Sequence, residues 1–447
     1  MTESYTFKIP ENVININSSD KKDEITKEIT KEITNEITNE ITDEPVSYSR
    51  KGKPTICFAT MCKNEEHCIR ETLESVYKYI DYWVVEDTGS TDRTCEIVTE
   101  FFKEKNIPGE LYVDEWQGFD KNKTKLFDYC YKKADYILHL DADDLLVGDF
   151  TFTEEDAGKL QYYCWAKRGE FSTYKYKIIL LFYNHVHWKF SGVAHTIIRS
   201  LDKHSLEENG DISHKKFTMI SRDTGARGND SEKYKKDAHK LTDQFFDTLI
   251  EDPDGLNNRS IFYTAQSYYD CDDHENSAKW YSLYTKIENT WIEEKFECYV
   301  RLGNLFQRLG KSFEKVEEKY LKAISIIPDR AEPYMNLGRF YHQNKEWEKG
   351  YDILKKGMQI DYDFAKTKYI LFLNEHSYGK YIADELSVSC YWTGRFEEGK
   401  EIIEKIIHEP EMAIYRERIL KNLNYMNEGI EKENQMESQL ENQFKIV

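Results

Sequence analysis

Two rhythms of apolar residues divide the chain. From about Thr55, short apolar runs alternate with amphipathic stretches. "TICFATM" (55–61) predicts a buried strand, "CIRETLESVYKYI" (68–80) a helix and "DYWVVED" (81–87) a second strand. A helix through "TCEIVTEFFKEK", a third strand in "GELYVDEW" (109–116) and a fourth in "ADYILHLDAD" (134–143) follow. Strands alternating with helices predict a mostly parallel sheet with both faces covered. Such sheets place their ligands at the carboxyl ends of the strands.

Beyond about residue 231 the strand signals fade and helical periods take over. "YVRLGNLFQRLGKSFEKVEEKYLKAISIIPD" superimposes on "YMNLGRFYHQNKEWEKGYDILKKGMQIDYD", with Leu302-Gly303 over Leu337-Gly338, Phe306 over Tyr341 and Phe313 over Trp347. The interval, 34 to 35 residues, is that of a tetratricopeptide-type helix pair, in which small residues let helices approach and aromatics fill the remaining space. Residues 262–284 form an earlier copy and 385–407 a later one, with an insertion expected around 366–381. The expected organisation is a low-complexity tail over 1–50, an α/β domain over 51–230, helical repeats over 231–425 and a polar, frayed tail over 426–447.

The expected tail contains "EITKEITKEITNEITNEITDE" (24–44), a four-residue repeat. Its isoleucines would drift around a helix of about 3.6 residues per turn, and its glutamates repel one another. A solvated tail is the favoured reading and a marginal helix the alternative. The whole chain of 447 residues carries a formal charge of -20, which argues against a general phosphate-backbone binder of nucleic acid. An anionic ligand therefore needs local cations or a metal. Nine scattered cysteines without a C-x-x-C pair argue against a disulfide framework or a structural zinc site. No run approaches the ~18 apolar residues of a membrane span. These features predict a soluble, intracellular, cytoplasmic protein; they leave its oligomeric state open.

The fourth predicted strand breaks into Asp141-Ala142-Asp143-Asp144, three carboxylates in four positions. A helix cap, a surface turn and an oxygen-rich cation site all use such residues. Their place at the end of an apolar strand favours the cation, with Mg²⁺ or Mn²⁺ suited to carboxylate oxygens and to a substrate's phosphates. A second cluster, "VVEDTGSTDRT" (84–94), combines a turn glycine, Gly89, with hydroxyls and acids. Asp92 or Thr91 serves as a cap for the next helix, whereas Asp87 is free for a nucleotide base or ribose.

Taken in order, "TMCKNEEHCIRETLESV", "EDTGSTDRT", "WQGFDKNKTKLFDYC" and "ILHLDADD" resemble the inverting family 2 nucleotide-sugar glycosyltransferases of GT-A fold. The resemblance covers roughly residues 54–200 and implies an α/β, Rossmann-like nucleotide-sugar-binding domain ahead of the helical repeats. It implies a nucleotide-sugar donor, a UDP-sugar by preference, and Mn²⁺ or Mg²⁺ as cofactor. A peptide, protein or glycan acceptor follows from the repeat domain, since repeats present binding surfaces. It puts Thr60, Glu65 and Asp87 around the nucleoside, Asp141 on ribose or metal-bound water, and Asp143 on the metal. Lys123 stands where relatives carry Arg, as a point charge for phosphate without the bidentate fork, and Thr124 replaces the Asn that follows. "HWKFSGVAHTIIR" (187–199) is similar to the G-x-x-H-E segment, with His195 as a third metal ligand or diphosphate contact and Trp188 as an acceptor platform. Thr196 replaces the Glu after that histidine.

An inverting transfer requires a base for the acceptor. With Thr196 in the Glu position, the candidates are Asp144 and then Asp223. Arg222 and Arg227, in "SRDTGARGND", are expected to close over the departing diphosphate, or to be solvated linker charges. The competing class is a noncatalytic helical-repeat scaffold with a degenerate glycosyltransferase domain, favoured by Thr124 and Thr196. A sugar-nucleotide pyrophosphorylase ranks last, because no early Gly-rich loop with Arg or Lys cradles a triphosphate.

Overall fold

The computed structural model describes residues 46–48 and 51–444. The segment read as a solvated tail, 24–44, lies outside the described residues. Two compact units are present. The smaller combines the chain up to Ser47 with Asp202–Ser205, where Val46 bridges His204. The larger spans Tyr48–Leu201 and Leu206–Val447.

In the larger unit the first strands and helices alternate as the hydrophobic pattern predicts. They are β1 (Ile56–Cys62), α1 (Ile69–Val76), β2 (Tyr82–Asp87), α2 (Thr94–Lys105), β3 (Gly109–Val113), α3 (Phe119–Cys130) and β4 (Tyr136–His139). β1 is buried along nearly its whole length, between β2 and β4 and against α3, which is why it reads as a continuous apolar run. Strands β3, β2, β1 and β4 lie side by side in parallel.

The remaining strands make the sheet mixed rather than mostly parallel. They are β5 (Leu145–Gly148), β6 (Lys159–Arg168), β7 (Tyr174–Tyr183), β8 (Trp188–Ser191), β9 (Ile197–Ser200), β10 (Glu207–Asp211) and β11 (Phe217–Ser221). The sheet runs β3-β2-β1-β4-β7-β6-β11-β5, and β8 and β9 form a separate hairpin. β6 alternates buried and half-exposed positions and joins β7 through a short turn, which allows only antiparallel pairing. β7 is also antiparallel to β4, and β11 is parallel to β6. The carboxyl ends of β6 and β11 therefore reach the same edge as those of β1, β2 and β4.

Helices follow: α4 (Lys233–Asp247), α5 (Asn257–Asp270), α6 (His274–Thr285), α7 (Ile292–Arg308), α8 (Phe313–Ile326), α9 (Glu332–Gln343) and α10 (Trp347–Gly357). The glycines of the repeat are contact points: a Cβ on Gly303 would lie 2.4 Å from the Tyr320 ring, and one on Gly338 2.4 Å from Leu354. The expected insertion contains α11 (Tyr362–Lys368) and β12 (Leu373–Asn374), and β12 pairs antiparallel with β7. A break in the repeat thus becomes a strand of the large sheet. Helices α12 (Gly379–Trp392), α13 (Phe396–Ile406) and α14 (Arg416–Phe444) complete the unit. The segment read as a frayed tail is helical to Phe444, because Gly429 lets α14 approach so near the Phe396 ring that a Cβ would lie 2.5 Å from it. No helix among the described residues is long and apolar enough to cross a membrane.

Candidate active site

The turns after β1, β2 and β4 converge with the loop after β11. In the β2 turn, Asp87 is buried and its carboxylate accepts the amides of Gly89 (3.0 Å) and Ser90 (2.8 Å). The positive φ of Gly89, 101°, closes this turn. Ser90 Oγ accepts the Asn64 amide at 2.8 Å, and the Asn64 carboxamide accepts that of Thr91 at 2.8 Å, so the two turns are knitted together. Asp92 caps α2 through the Thr94 amide (3.0 Å). These bonds fix the Asp87 carboxylate in its turn at the carboxyl end of β2. Thr60 is buried too, and its hydroxyl has no hydrogen-bond partner.

Asp141 stands two residues beyond β4, and its side chain is 62 % exposed. Lys123 Nζ on α3 lies 3.0 Å from its Oδ1 and, as the first cause, holds the carboxyl down at about 2; His139 and Arg227 add to the effect. Thr124, next to Lys123, is structural: its Oγ1 donates to the Asp120 carbonyl (2.7 Å) and accepts the Phe190 amide (3.0 Å).

Asp143 faces the loop after β11. Its Oδ2 accepts the amides of Thr224 (3.0 Å) and Gly225 (2.8 Å), while burial pushes its pKa up. Glu65 accepts the Ala226 amide at 2.9 and 3.1 Å; burial raises its pKa also, with Asp143 adding to the rise. Arg222 anchors the start of the loop through its amide on Asp144 Oδ1 (3.2 Å), its Nε on the Asp143 carbonyl (2.6 Å) and a pair with Glu71. Arg227 pairs with Asp237 on α4 and lies 5.0 Å above the Phe119 ring.

Two expected roles do not survive this geometry. Trp188 is 2 % exposed and its indole N–H donates to the Tyr183 carbonyl at 2.9 Å, so it is a core residue and offers no face to an acceptor. Asp144 is also buried, with its Oδ1 accepting the Arg222 amide at 3.2 Å, and desolvation, reinforced by Asp141 and Asp143, raises its pKa. Only 4 % exposed, it offers little surface to an acceptor hydroxyl. Asp223, by contrast, is exposed and held below its ordinary pKa, against the opposing effect of burial, by Lys233 Nζ at 2.9 Å and Arg168 at 3.3 Å.

His195 adopts a positive φ of 49° and stacks on Tyr263 of α5, centroids 4.0 Å apart. Its carbonyl accepts Arg259 Nε at 2.5 Å. Although the residue is partly open to solvent, the protein packed round the ring, then Arg259, Arg227 and Arg168, lower its pKa and keep it neutral. The helical repeats thus supply part of the rim, since Arg168 also lies 3.6 Å from Asp270 on α5.

Two further residues escaped the sequence reading. Trp116, after β3, is 43 % exposed and meets Phe119 edge-on at 4.8 Å, which provides a shelf beside Arg227. Glu86 is buried, receives Asn122 Nδ2 at 2.8 Å, and leaves Oε2 without a partner. Burial pushes it up to about 7. The acid beside Asp87 in "VVED" was the available signal.

Asp141 and Asp143 supply the hard oxygen donors that Mg²⁺ or Mn²⁺ takes, and the open Asp141 carboxylate fits such an ion. Asp143 fits once the Thr224 and Gly225 amides leave it. The chain thus joins an α/β domain, with acidic turns at the carboxyl ends of its strands, to a run of helix pairs. Residues 57–151 match the family model described as glycosyl transferase family 2, and an α-helical domain follows this α/β domain. No curated protein matches the chain. Among solved structures, BtubC (BKLC) from P. vanneervenii is 13 % identical over 49 % of this chain and 91 % of its own, with a TM-score of 0.35. A putative kinesin light chain with TPR-like repeats from Podosopora anserina is 14 % identical over 43 % and 94 %, TM-score 0.31. GalNAc-T7 with UDP, GalNAc and Mn²⁺ is 19 % identical over 21 % of this chain and 19 % of that one, TM-score 0.20. Likeness at these scores carries no functional weight.

Proposed function

We propose that the protein transfers a sugar from a nucleotide-diphosphate sugar, UDP-linked by preference, to a peptide, protein or glycan acceptor, with inversion. The observation that carries this reading is the exposed, ionised Asp141 at the end of β4, with Lys123 3.0 Å away and Asp143 two residues on. In a chain of net charge -20, Lys123, Arg227 and Arg168 provide the local positive charge a diphosphate requires. Bound to Asp141 and Asp143, Mn²⁺ or Mg²⁺ would stabilise negative charge on the leaving diphosphate. The neutral His195 ring is suited to a hydrogen bond with that group.

Asp223 is the favoured base. Its ion pairs keep the carboxylate deprotonated, and exposure at the rim leaves it open to an acceptor hydroxyl, whose proton passes to a carboxylate oxygen as the bond to the anomeric carbon forms. Trp116 offers the aromatic surface that Trp188 does not. The Thr224 and Gly225 amides must leave Asp143 for the donor acids to be used. Amide bonds to carboxylates contribute about 1.5–3 kcal/mol each, so opening requires a ligand that replaces them.

That same engagement favours a second reading, a noncatalytic scaffold whose donor acids are satisfied by its own backbone. Release of UDP from a panel of UDP-sugars, followed with Mn²⁺ and with chelator, separates the two. Metal-supported turnover that falls at least about a hundredfold in Asp143→Asn, with the far-UV spectrum unchanged, is expected. Absence of both turnover and UDP binding in the wild type refutes the transferase reading, and full activity of Asp143→Asn refutes the ligand assignment.

A further inference from the structure

The turn between β1 and α1 carries a donor set of a different kind. One ligand atom each from Glu65, His67 and Cys68 lies within 4.8 Å of the other two. We propose that these residues form a binding site for a borderline-soft divalent ion, with zinc as its occupant, distinct from the oxygen-only pair Asp141 and Asp143. The site does not depend on the transferase reading; it gives Glu65 a role other than a nucleoside contact.

Local geometry brings the donors together. The Glu65 carbonyl accepts the amides of Cys68 (3.0 Å) and Ile69 (2.9 Å), so the first turn of α1 sets Glu65 and Cys68 on one face. Cys68 Sγ already sits 3.2 Å from Glu65 Oε2. Zinc bonds of about 2.3 Å to sulfur and about 2.0–2.2 Å to nitrogen and oxygen imply ligand separations of about 3.5 Å in a tetrahedron. The Glu65–Cys68 pair is therefore close to its final spacing. The exposed His67 side chain can supply the remaining closure.

The chemistry selects the ion. A carboxylate, an imidazole and a thiolate suit Zn²⁺, whereas Mg²⁺ and Mn²⁺ favour oxygen. On binding, the Cys68 thiol proton passes to solvent and the imidazole contributes a neutral lone pair. Two negative ligands then balance the dication, which suits a half-buried position. Three protein ligands leave a fourth place for water.

Outer contacts are also present. His67 Nε2 lies 2.6 Å from the Thr224 carbonyl, which leaves Nδ1 for the ion. Glu65 holds the Ala226 amide. Such outer bonds orient metal ligands, and here both come from the loop that covers Asp143. An ion in this site would tie the 224–226 loop to α1.

The test uses the full chain, stripped of metal and titrated with Co²⁺ and then Zn²⁺. A thiolate-to-cobalt charge-transfer band in the near ultraviolet, with the visible bands of a tetrahedral site, should saturate at one ion per chain. Zinc should abolish it and Mg²⁺ or Mn²⁺ should not. Cys68→Ser should lose the band, and His67→Ala should weaken binding by more than about tenfold. The band should persist in Cys95→Ser and Cys271→Ser, which alter the two partly exposed thiols. It should also persist in Asp143→Asn, so that failure of the transferase reading leaves this result standing. No band in the folded wild type, a band that survives in Cys68→Ser, or one lost in Cys95→Ser or Cys271→Ser would overturn the proposal.

Discussion

Replacing Arg330 with methionine removes a fully buried guanidinium while keeping an apolar side chain in its place. Arg330 Nε and Nη2 donate to Glu332 at 3.1 and 2.8 Å, and Nη1 and Nη2 to the carbonyls of Leu371 (2.7 Å) and Phe372 (3.1 Å). Glu293 lies 3.9 Å away and accepts the amides of Ile370 (2.9 Å) and Leu371 (2.8 Å). The guanidinium also packs 4.6 Å from the Phe296 ring. Burial opposes its charge, but the Glu332 carboxylate outweighs that effect and raises the pKa. This network fastens the segment that carries β12 onto the repeat, and β12 joins the repeat to β7.

Removing one partner of a buried pair costs about 3–5 kcal/mol, mostly for the charge left behind. Glu332 would retain the Tyr378 hydroxyl (3.0 Å) and the Asn374 amide (3.0 Å). Those bonds put Arg330→Met at the lower end, about 3 kcal/mol. Urea unfolding followed by far-UV circular dichroism measures the loss. Adding Glu332→Gln removes the stranded charge and should recover at least about 1 kcal/mol. A single-variant loss below about 1 kcal/mol, or no recovery in the double variant, would refute the reasoning.

Two other expectations concern packing and pH. Gly303→Ala places a Cβ against the Tyr320 ring and should cost about 1–3 kcal/mol, seen as a lower Tm; an unchanged Tm would mean that α7 and α8 do not approach as described. Glu86 has a folded pKa of about 7 against an ordinary 4.5, so the folded state binds its proton more tightly. Its stabilising effect is complete below pH 4.5 and lost as pH rises to about 7, an upper bound of about 3 kcal/mol and about 2 kcal/mol with partial solvent screening. Stability curves of the wild type and Glu86→Gln should diverge across that interval, and parallel curves would contradict the assignment.

The alternation of apolar runs and amphipathic stretches determined β1 to β4 and their helices, because strand and helix periods are local properties of the chain. The repeat was equally open to reading: Gly303 and Gly338 recur at a fixed interval because each must admit a neighbouring helix. Which side chains face solvent was decided elsewhere. "LDADDLL" does not distinguish the open Asp141 from the buried Asp144, since that difference arises where Arg222 arrives from β11, 78 residues away. Trp188 looked like a platform and became core once α3 and β8 met; Asp87 turned inward because Gly89 and Ser90 offered it amides. The 366–381 insertion broke the repeat's rhythm visibly, yet only β7, nearly two hundred residues earlier, gave it a partner. Periodicity records what each segment buries, whereas the neighbours that satisfy a buried charge come from distant parts of the chain and are settled only when the sheet and the helices pack.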